Sequence, residues 1–151
     1  MAIFLVQHGV SLKKEEDPQK GLSQKGREEA ARIADVAKFY QIPVAGIFHS
    51  GKKRAAETAE IFRDALGVSH PLKKMDHINP LDDVTVLGDR IDPASDIMVV
   101  GHLPYMEKLV SYLTTGNADT RVYKFQNAGI VCLDCEAGDW FIKWTLNPNI
   151  N

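Results

Sequence analysis

The sequence predicts an α/β fold of three layers, in which helices cover both faces of a mostly parallel sheet. Three short apolar runs carry this prediction, because each ends in glycine or polar residues and a helical pattern follows it. A further observation near the C-terminus, two apolar stretches joined by a short polar loop, predicts an antiparallel hairpin and so a mixed sheet. The three runs are Ala2–Val6, Gly46–Phe48 and Asp96–Val100.

The first helix is predicted after the polar segment Lys13–Pro18, which has the mixed charge of a surface loop. Ser23 can cap this helix, and apolar residues follow at helical spacing. Tyr40–Pro43 should end it, because the residue before a proline resists the helical conformation. The predicted buried stripe consists of Ala30, Ile33, Ala34, Ala37 and Phe39.

The second helix is predicted from Gly51 or Lys52 to Leu66, with Gly67 in the position that favours glycine after a helix. The stretch Val68–Ile78 has no clear period and is expected to hold at most a short strand. The buried side of the helix is predicted to consist of Ala55, Thr58, Ala59, Phe62 and Leu66.

A short helix is predicted from Pro80 to about Leu87, capped by Asp82 and stopped at Gly88. The third main helix should open with Pro104 near its first position, where proline is well tolerated, and should end at Gly116. Its buried residues are predicted to be Met106, Leu109, Val110 and Leu113.

The predicted hairpin comprises Gly129–Cys135 and Trp140–Leu146, joined by Glu136–Asp139. The two cysteines, Cys132 and Cys135, have the C-x-x-C spacing of some redox and metal sites. Residues three apart in a strand point to opposite faces, and no second cysteine pair is present, so a structural role is favoured.

The composition predicts one globular domain of 151 residues, with 44% hydrophobic and 25% charged residues. A net charge of −2 gives no general attraction to nucleic acid or to a membrane surface, so neither is expected as a partner. No apolar stretch approaches the length of a membrane span, and the first apolar run lacks the features of a signal peptide. We therefore expect a cytoplasmic protein.

Three residues that suit a phosphoryl group follow the three predicted strands. His8 comes directly after the first run, Arg54 lies in the first turn of the second helix, and His102 precedes the third main helix. The carboxyl ends of parallel strands meet at one edge of a sheet, so these residues should converge. A neutral imidazole can attack phosphorus, and a guanidinium matches phosphate oxygens. Lys52 and Lys53 are expected to be solvated.

The other three histidines do not join this pattern. His49 flanks Ser50 at a strand end, and His70 and His77 lie in the poorly patterned middle stretch. We expect structural or solvated roles for them, and no metal site.

Four segments resemble the motifs of the histidine phosphatase superfamily, the phosphoglycerate mutase-like fold. The family pattern is R-H-G, then L-[ST]-x-x-G, then S-x-x-x-R-[AC]-x-[EQ]-T-[AL], then G-H. Its shortness makes the chain most similar to the SixA-type phosphohistidine phosphatases. The matching segments, which span nearly the whole chain, are Val6–Gly9, Leu22–Gly26, His49–Ala59 and Val100–Pro104.

The resemblance implies a single histidine phosphatase-like domain over residues 1–151 that needs no metal and no cofactor. His8 would attack phosphorus and form a transient phosphohistidine, which water would hydrolyse to release inorganic phosphate. Arg54 and His102 would hold the non-bridging oxygens and stabilise the transition state by preorganised charge. Further contacts to phosphate are expected from Gln7, Gly9, Ser11 and Leu103.

One position departs from the family pattern, because Gln7 stands where the family usually has arginine. Glutamine keeps N–H donors but has no charge, and charge-assisted hydrogen bonds are about twice as strong as neutral ones. The expectation is an altered but active pocket, in which Lys13 or a lysine of the second helix could compensate.

The general acid is the second open point, for which Asp82 and Asp83 are the nearest candidates. A missing acid matters least when the leaving group departs easily, as the imidazole of phosphohistidine does once solvent protonates it. The favoured partner is therefore a phosphorylated protein carrying phosphohistidine. The alternatives are a small phosphorylated molecule, or a catalytically impaired phosphate-binding or interaction module marked by Gln7.

Overall fold

Residues 1–150, which the computed structural model describes, form six strands and four helices in an alternating order that fits the predicted α/β class. None of these helices is both long and apolar enough to cross a membrane. The strands are β1 (Ile3–Gln7), β2 (Gly46–His49), β3 (Lys73–Lys74), β4 (Ile97–Gly101), β5 (Ile130–Glu136) and β6 (Asp139–Leu146). The helices are α1 (Gln24–Phe39), α2 (Lys53–Leu66), α3 (Val84–Gly88) and α4 (Tyr105–Thr115).

All six strands form one mixed sheet in the order β3-β2-β4-β1-β5-β6. The pairs β2–β3, β2–β4 and β1–β4 are parallel, whereas β5 runs antiparallel to both β1 and β6. The prediction of a mostly parallel sheet that closes with an antiparallel hairpin is confirmed. β1, the first strand in the chain, lies near the middle of the sheet, and its side chains are fully buried.

Two apolar clusters fill the two faces of the sheet, because successive side chains of β1 point to opposite sides. Phe4 and Val6 contact the cluster formed with α1 and α2, whereas Ile3 and Leu5 contact the cluster formed with α3 and α4.

The chain therefore leaves the adjacent strands β1 and β4 toward opposite faces of the sheet, into α1 and α4 respectively. Where neighbouring strands send their chains to opposite faces in this way, a crevice opens outside their carboxyl ends. This is the usual position of a ligand in open α/β sheets.

The prediction that Phe39 belongs to the buried stripe of α1 is wrong, because 81% of this residue is exposed. Phe39 lies two residues beyond the buried Ala37, which turns it by about 200° around the helix axis. Its ring instead contacts that of Tyr40 edge-on. The other four predicted residues of the stripe are buried.

The short helix α3 is shorter than predicted, and its cap is Asp83 rather than Asp82. The Asp83 carboxylate accepts the N–H of Thr85 at 2.9 Å, which is the contact expected of an N-cap. The Asp82 carboxylate instead accepts the N–H of Asn79 at 2.8 Å and closes the preceding turn.

The remaining boundaries differ from prediction by one or two residues. Pro104 is the N-cap of α4 and not its first helical residue, and α2 starts after Lys52. Gly67 and Gly116 both follow their helices in the left-handed conformation, with φ of 66° and 79°. Cys132 is buried, Cys135 is half-buried, and neither is in a disulfide.

Candidate active site

His8 lies directly after β1, at the mouth of the crevice. Its Nδ1 is 2.6 Å from the carbonyl oxygen of Gly9, so Nδ1 carries the proton and donates it. The Nε of Arg54 donates to the other ring nitrogen, Nε2, at 3.4 Å. Burial lowers the pKa of His8 to about 4, aided by the positive charges of Arg54 and Lys20 and opposed by the Gly9 hydrogen bond. The ring is therefore neutral near pH 7, with its lone pair on Nε2.

The backbone of His8 is held by two neighbouring segments. Its N–H donates to the carbonyl of Gly101 at 3.0 Å, which extends the β1–β4 pairing by one residue. Its carbonyl accepts the side-chain amide of Asn127 at 3.0 Å and the N–H of Ala128 at 3.3 Å. The segment before β5 thus fixes the position of the candidate nucleophile.

The helix α2 holds the next residue, Gly9, through a buried hydroxyl. The Gly9 N–H donates to Oγ1 of Thr58 at 3.0 Å, and Thr58 in turn donates to the carbonyl of Arg54 at 2.8 Å. Both polar backbone groups of Gly9 are therefore used within the chain. Gly9 orients His8 in this structure, and neither group is free for the predicted contact with phosphate.

Arg54 lies in the first turn of α2, where unpaired backbone N–H groups also favour an anion. Its neighbour Lys53 forms an ion pair with Asp17 at 2.9 Å. The hydrogen bond from Lys53, together with the N–H groups of Gly21 and Gln19, lowers the pKa of Asp17 to about 2. Lys53 is thus engaged elsewhere, and Arg54 is the cation of α2 that contacts His8.

His102 follows β4 and is almost completely buried, at 1% exposure. Its ring centre lies 5.0 Å from that of His8, and its Nε2 is 2.5 Å from the hydroxyl of Ser50. The other nitrogen, Nδ1, is buried without a partner. Burial lowers the pKa of His102 to about 3, with added repulsion from His8, Arg54 and Lys52. His102 is therefore neutral and has one polar atom unsatisfied.

Gln7 is the last residue of β1 and is 8% exposed. Its side chain is on the α4 face of the sheet, because Ile3 and Leu5 are on that face and side chains alternate along a strand. Its parallel partner in β4 is Gly101, which contributes no side chain beside it. The amide oxygen Oε1 of Gln7 is buried and accepts no hydrogen bond.

The remaining predicted site residues have other contacts. Ser11 forms an isolated antiparallel bridge with Leu22, and Leu103 packs against the cluster of α3 and α4. Burial raises the pKa of the Tyr105 phenol to about 12, and the nearby Asp82 and Asp83 add to this shift. Two hydrogen bonds from Thr85 lower the pKa of Asp83, which keeps Asp83 ionised.

The other histidines have local contacts. The Nδ1 of His49 accepts the N–H of Gly51 at 3.0 Å, and the carbonyl of the exposed His70 accepts the Nε of Arg63 at 3.0 Å. Within residues 1–150, no three His, Cys, Asp or Glu side chains are grouped closely enough to hold a metal ion.

Three contacts of the site were not predicted from the sequence: those of Ser50, Thr58 and Asn127. Ser50 is the first conserved position of the third motif pattern, so the sequence did indicate that this residue belongs to the site. Thr58 lies one helical turn after Arg54, but helical spacing predicts only that its side chain is buried. Asn127 lies 119 residues from His8 and gave no signal.

The arrangement combines a neutral nucleophile, one permanent cation and buried polar atoms without partners. A neutral Nε2 beside a guanidinium can attack an electrophilic centre that carries anionic oxygens. The neutral His102 and Gln7 can form hydrogen bonds to such oxygens, while Arg54 supplies the charge. This is the chemistry of phosphoryl transfer to histidine.

Comparison with family models matches residues 3–81, more than half of the chain, to the histidine phosphatase superfamily (branch 1). Comparison with curated protein sequences gives no match.

Among solved structures, the protein histidine phosphatase SixA complexed with tungstate has a TM-score of 0.83 at 22% identity, over 98% of this chain and 97% of that one. The phosphoserine phosphatase of Entamoeba histolytica in complex with 3-phosphoglyceric acid has a TM-score of 0.72 at 13% identity, over 95% of each chain. YhfR of Bacillus stearothermophilus has a TM-score of 0.66 at 16% identity, over 94% of this chain and 95% of that one. At such identities these likenesses support the fold.

Proposed function

The chain belongs to the histidine phosphatase superfamily (branch 1) and is a metal-independent phosphatase, and we propose that its substrate is protein phosphohistidine, hydrolysed through a covalent intermediate on His8. The observation that carries this proposal is the geometry around His8. Its neutral ring presents Nε2 to Arg54, and the ring of His102 lies 5.0 Å away.

In the first step, the lone pair of His8 Nε2 attacks phosphorus in line. A bond forms between Nε2 and phosphorus, and the bond from phosphorus to the substrate nitrogen breaks. The electron pair of the broken bond stays on the leaving imidazole, which takes a proton from solvent. Arg54 and His102 hold the non-bridging oxygens during this step.

The Gly9 carbonyl assists because positive charge develops on the His8 ring as Nε2 forms its new bond. The hydrogen bond from Nδ1 to this carbonyl, at 2.6 Å, stabilises that charge. In the second step, water attacks phosphorus, loses a proton to solvent and displaces the neutral imidazole of His8. Inorganic phosphate leaves, and the enzyme returns to its starting state.

Substrates with a P–N bond are favoured because the site has no evident proton donor for a poor leaving group. Asp83 caps α3, and its lowered pKa keeps it deprotonated. Asp82 is the remaining candidate acid, and its role stays a prediction. An imidazole leaves readily after protonation by solvent, whereas an alkoxide needs an acid in the site.

The first experiment measures phosphate release from a phosphohistidine-bearing protein and from an aryl phosphate. The wild type should release phosphate faster from the protein substrate, and His8→Ala should release none from either. Rapid acid-free quenching should trap phosphate on the wild type at His8. His70→Ala, which removes an exposed histidine outside the crevice, is the matched control and should behave as wild type.

Turnover by His8→Ala at the wild-type rate would contradict the covalent mechanism, and so would a label on any other residue. Faster release from the aryl phosphate, with labelling still at His8, would keep the mechanism and reject the phosphohistidine substrate.

Gln7 supports a second candidate, a phosphate-binding or interaction module with impaired turnover. Its uncharged amide replaces the arginine of the family motif, and loss of a transition-state donor costs roughly 10²–10³ in rate. Absence of turnover by the wild type together with turnover by Gln7→Arg would favour this candidate. A small phosphomonoester remains the alternative substrate of an active enzyme.

A further inference from the structure

Two exposed lysines beside the crevice have no ion-pair partner. Lys52 is the N-cap of α2, and Lys20 lies in the loop between β1 and α1. In the part of the chain that the structure describes, no carboxylate is within ion-pair distance of either ammonium group, whereas the neighbouring Lys53 is paired with Asp17 at 2.9 Å. With Arg54, the two lysines leave uncompensated positive charge here, although the whole chain has a net charge of −2.

The backbone of Lys52 is tied to the site through Ser50. Its N–H donates to the Ser50 hydroxyl at 3.4 Å, and the same hydroxyl is hydrogen-bonded to Nε2 of His102 at 2.5 Å. Arg54 follows two residues later in the first turn of α2. Lys52 therefore stands at the rim of the site, with Ser50 between its backbone and the His102 ring.

Lys20 is held at the same end of α2 by its neighbours in the chain. The N–H of Gly21 donates to Asp17 at 2.9 Å, and Asp17 is ion-paired with the first residue of α2. The N–H of Leu22 donates to Glu57 of α2 at 2.8 Å. Between these contacts Lys20 adopts the left-handed conformation, with φ of 52°, which residues other than glycine rarely adopt. The start of α2 thus determines where Lys20 leaves the loop.

The charges that act on the two histidines agree with these positions. Burial is the main cause of the lowered pKa values, and every charge that adds to it is positive. Arg54 and Lys20 lower the pKa of His8, while Arg54 and Lys52 lower that of His102 together with His8 itself. No carboxylate is among the charges that act on either ring. The two lysines therefore face the crevice from its α2 side.

We propose that Lys20 and Lys52 bind acidic side chains that flank the phosphohistidine of the partner protein. The proposal rests on the proposed function, because it concerns the protein that presents its phosphorylated residue to His8. Arg54 meets the phosphoryl group inside the crevice, so the two exposed lysines at the rim are available for negative charge beyond that group. A lysine ammonium is a point charge on a flexible stem, which suits carboxylates whose exact positions vary.

The expected effect is on binding, because exposed charges at a rim act mainly on encounter and complex formation. One exposed ion pair changes affinity by a factor of roughly three, and two change it by a factor of roughly ten. Neither lysine contacts the reacting atoms, so KM should change while kcat stays the same. Salt should weaken the effect, because it screens exposed charges.

The test uses two synthetic phosphohistidine peptides of equal length, with either glutamate or glutamine on both sides of the phosphorylated histidine. At low salt the wild type should have a kcat/KM roughly tenfold higher for the glutamate peptide, and about 0.5 M salt should remove most of this preference. Lys20→Gln and Lys52→Gln should each reduce the preference roughly threefold, and the double variant should abolish it. Lys38→Gln changes an exposed lysine in the last turn of α1 and is the matched control, which should keep the preference.

Binding is measured separately in His8→Ala, which cannot form the phosphoenzyme. Fluorescence anisotropy of the two dye-labelled peptides gives their dissociation constants without turnover. The glutamate peptide should bind roughly tenfold more tightly than the glutamine peptide, and Lys20→Gln with Lys52→Gln should remove this difference.

Equal kcat/KM and equal affinity for the two peptides would overturn the proposal. So would a loss in the lysine variants that is equally large for both peptides, because the lysines would then contact the phosphoryl group itself. Turnover of both peptides through a labelled His8, without a preference for glutamate, would reject only the role of the lysines. A preference for glutamate in binding, without turnover by the wild type, would reject only the proposed function.

Discussion

Thr58 connects the helix that carries Arg54 to the loop that carries His8. Its hydroxyl accepts from Gly9 and donates to the Arg54 carbonyl, and the residue is fully buried. One side chain therefore holds the backbone next to the nucleophile at a fixed distance from the helix that bears the cation. This contact depends on a single oxygen atom.

Thr58→Val should destabilise the protein and slow phosphate release, because the buried N–H of Gly9 loses its acceptor. A buried donor left unpaired costs about 1–3 kcal/mol. Thr58→Ser, which keeps the hydroxyl, is the matched control and should retain most of the activity. Urea denaturation and steady-state phosphate release measure the two effects. Full activity in the valine variant, or a loss in the serine variant as large as that in the valine variant, would contradict the assignment of the effect to the hydroxyl.

At the residue scale, the sequence predicted which side chains converge but not the contacts that orient them. His8, Arg54 and His102 were predicted because each follows a recognisable strand. Thr58 was predicted to be buried, and it is, but helical periodicity does not reveal which backbone group its hydroxyl binds. Asn127 contacts His8 only because β5 pairs with β1, and local sequence carries no information on that pairing.

At the scale of elements, the start of α1 lies against the loop that follows His8. Ser23 caps α1 by accepting the N–H of Gly26, and it also donates to the carbonyl of Val10 at 3.0 Å. A Cβ built on Gly26 would lie 2.1 Å from the same carbonyl oxygen. Position 26 therefore requires glycine, because the backbone of α1 comes very close to the backbone of Val10. In this way α1 positions the loop from His8 to Val10.

Gly26→Ala should therefore destabilise the protein, although this change usually stabilises a helix by about 0.5–1 kcal/mol. The clash is with backbone, so α1 must shift, and overpacking of this kind costs about 1–3 kcal/mol. Gly46→Ala is the control, because a Cβ there meets no atom within 4 Å. Urea denaturation of both variants is the measurement. Unchanged stability of Gly26→Ala would contradict this account of how α1 and the loop are packed.

The sequence predicted best the strands and helices whose apolar residues recur at a regular spacing. The apolar runs of β1, β2 and β4 and the stripes of α1, α2 and α4 identified the elements that build the crevice. The cap of α3 was assigned to Asp82, one residue too early, because neighbouring aspartates are equivalent as caps until the turn that precedes them is known. The apolar character of Phe39 predicts a place in the core, but apolar character alone does not show which way the last turn of a helix faces.

At the scale of the whole molecule, two neutral histidines, the half-buried His8 and the fully buried His102, make stability depend on pH. Their pKa values, about 4 for His8 and about 3 for His102, are lower in the folded state than the ordinary value of 6.5. Below pH 6.5 the unfolded chain binds more protons than the folded chain at these sites, so stability falls as the pH falls. The loss continues until the pH reaches the folded-state pKa values.

Between pH 6.5 and 5 each of these histidines should cost on the order of 2 kcal/mol of unfolding free energy. Urea denaturation at pH 7 and at pH 5 measures the loss for the wild type. His8→Asn should lose less stability than the wild type over the same interval, because one of the two groups is gone. Identical losses in both proteins would show that protonation of His8 does not contribute.

The fold class followed from the alternation of strands and helices, but the order of the strands did not. β1 lies between β4 and β5, two strands that come much later in the chain. Which strands pair across so long a stretch of sequence depends on how the whole sheet buries its apolar faces. No local sequence pattern predicts that. The crevice is positioned by this order, because adjacent β1 and β4 send their helices to opposite faces.

The contact between Asn127 and His8 has a consequence for the timing of activity in the cell. The nucleophile emerges early from the ribosome, but the amide that holds its carbonyl lies 119 residues later. At the usual pace of translation that stretch takes on the order of ten seconds to synthesise. Throughout this interval the growing polypeptide carries its nucleophile without the support that fixes it. A ribosome-bound fragment that ends before Asn127 therefore lacks the hydrogen bond that holds the His8 carbonyl in the finished protein.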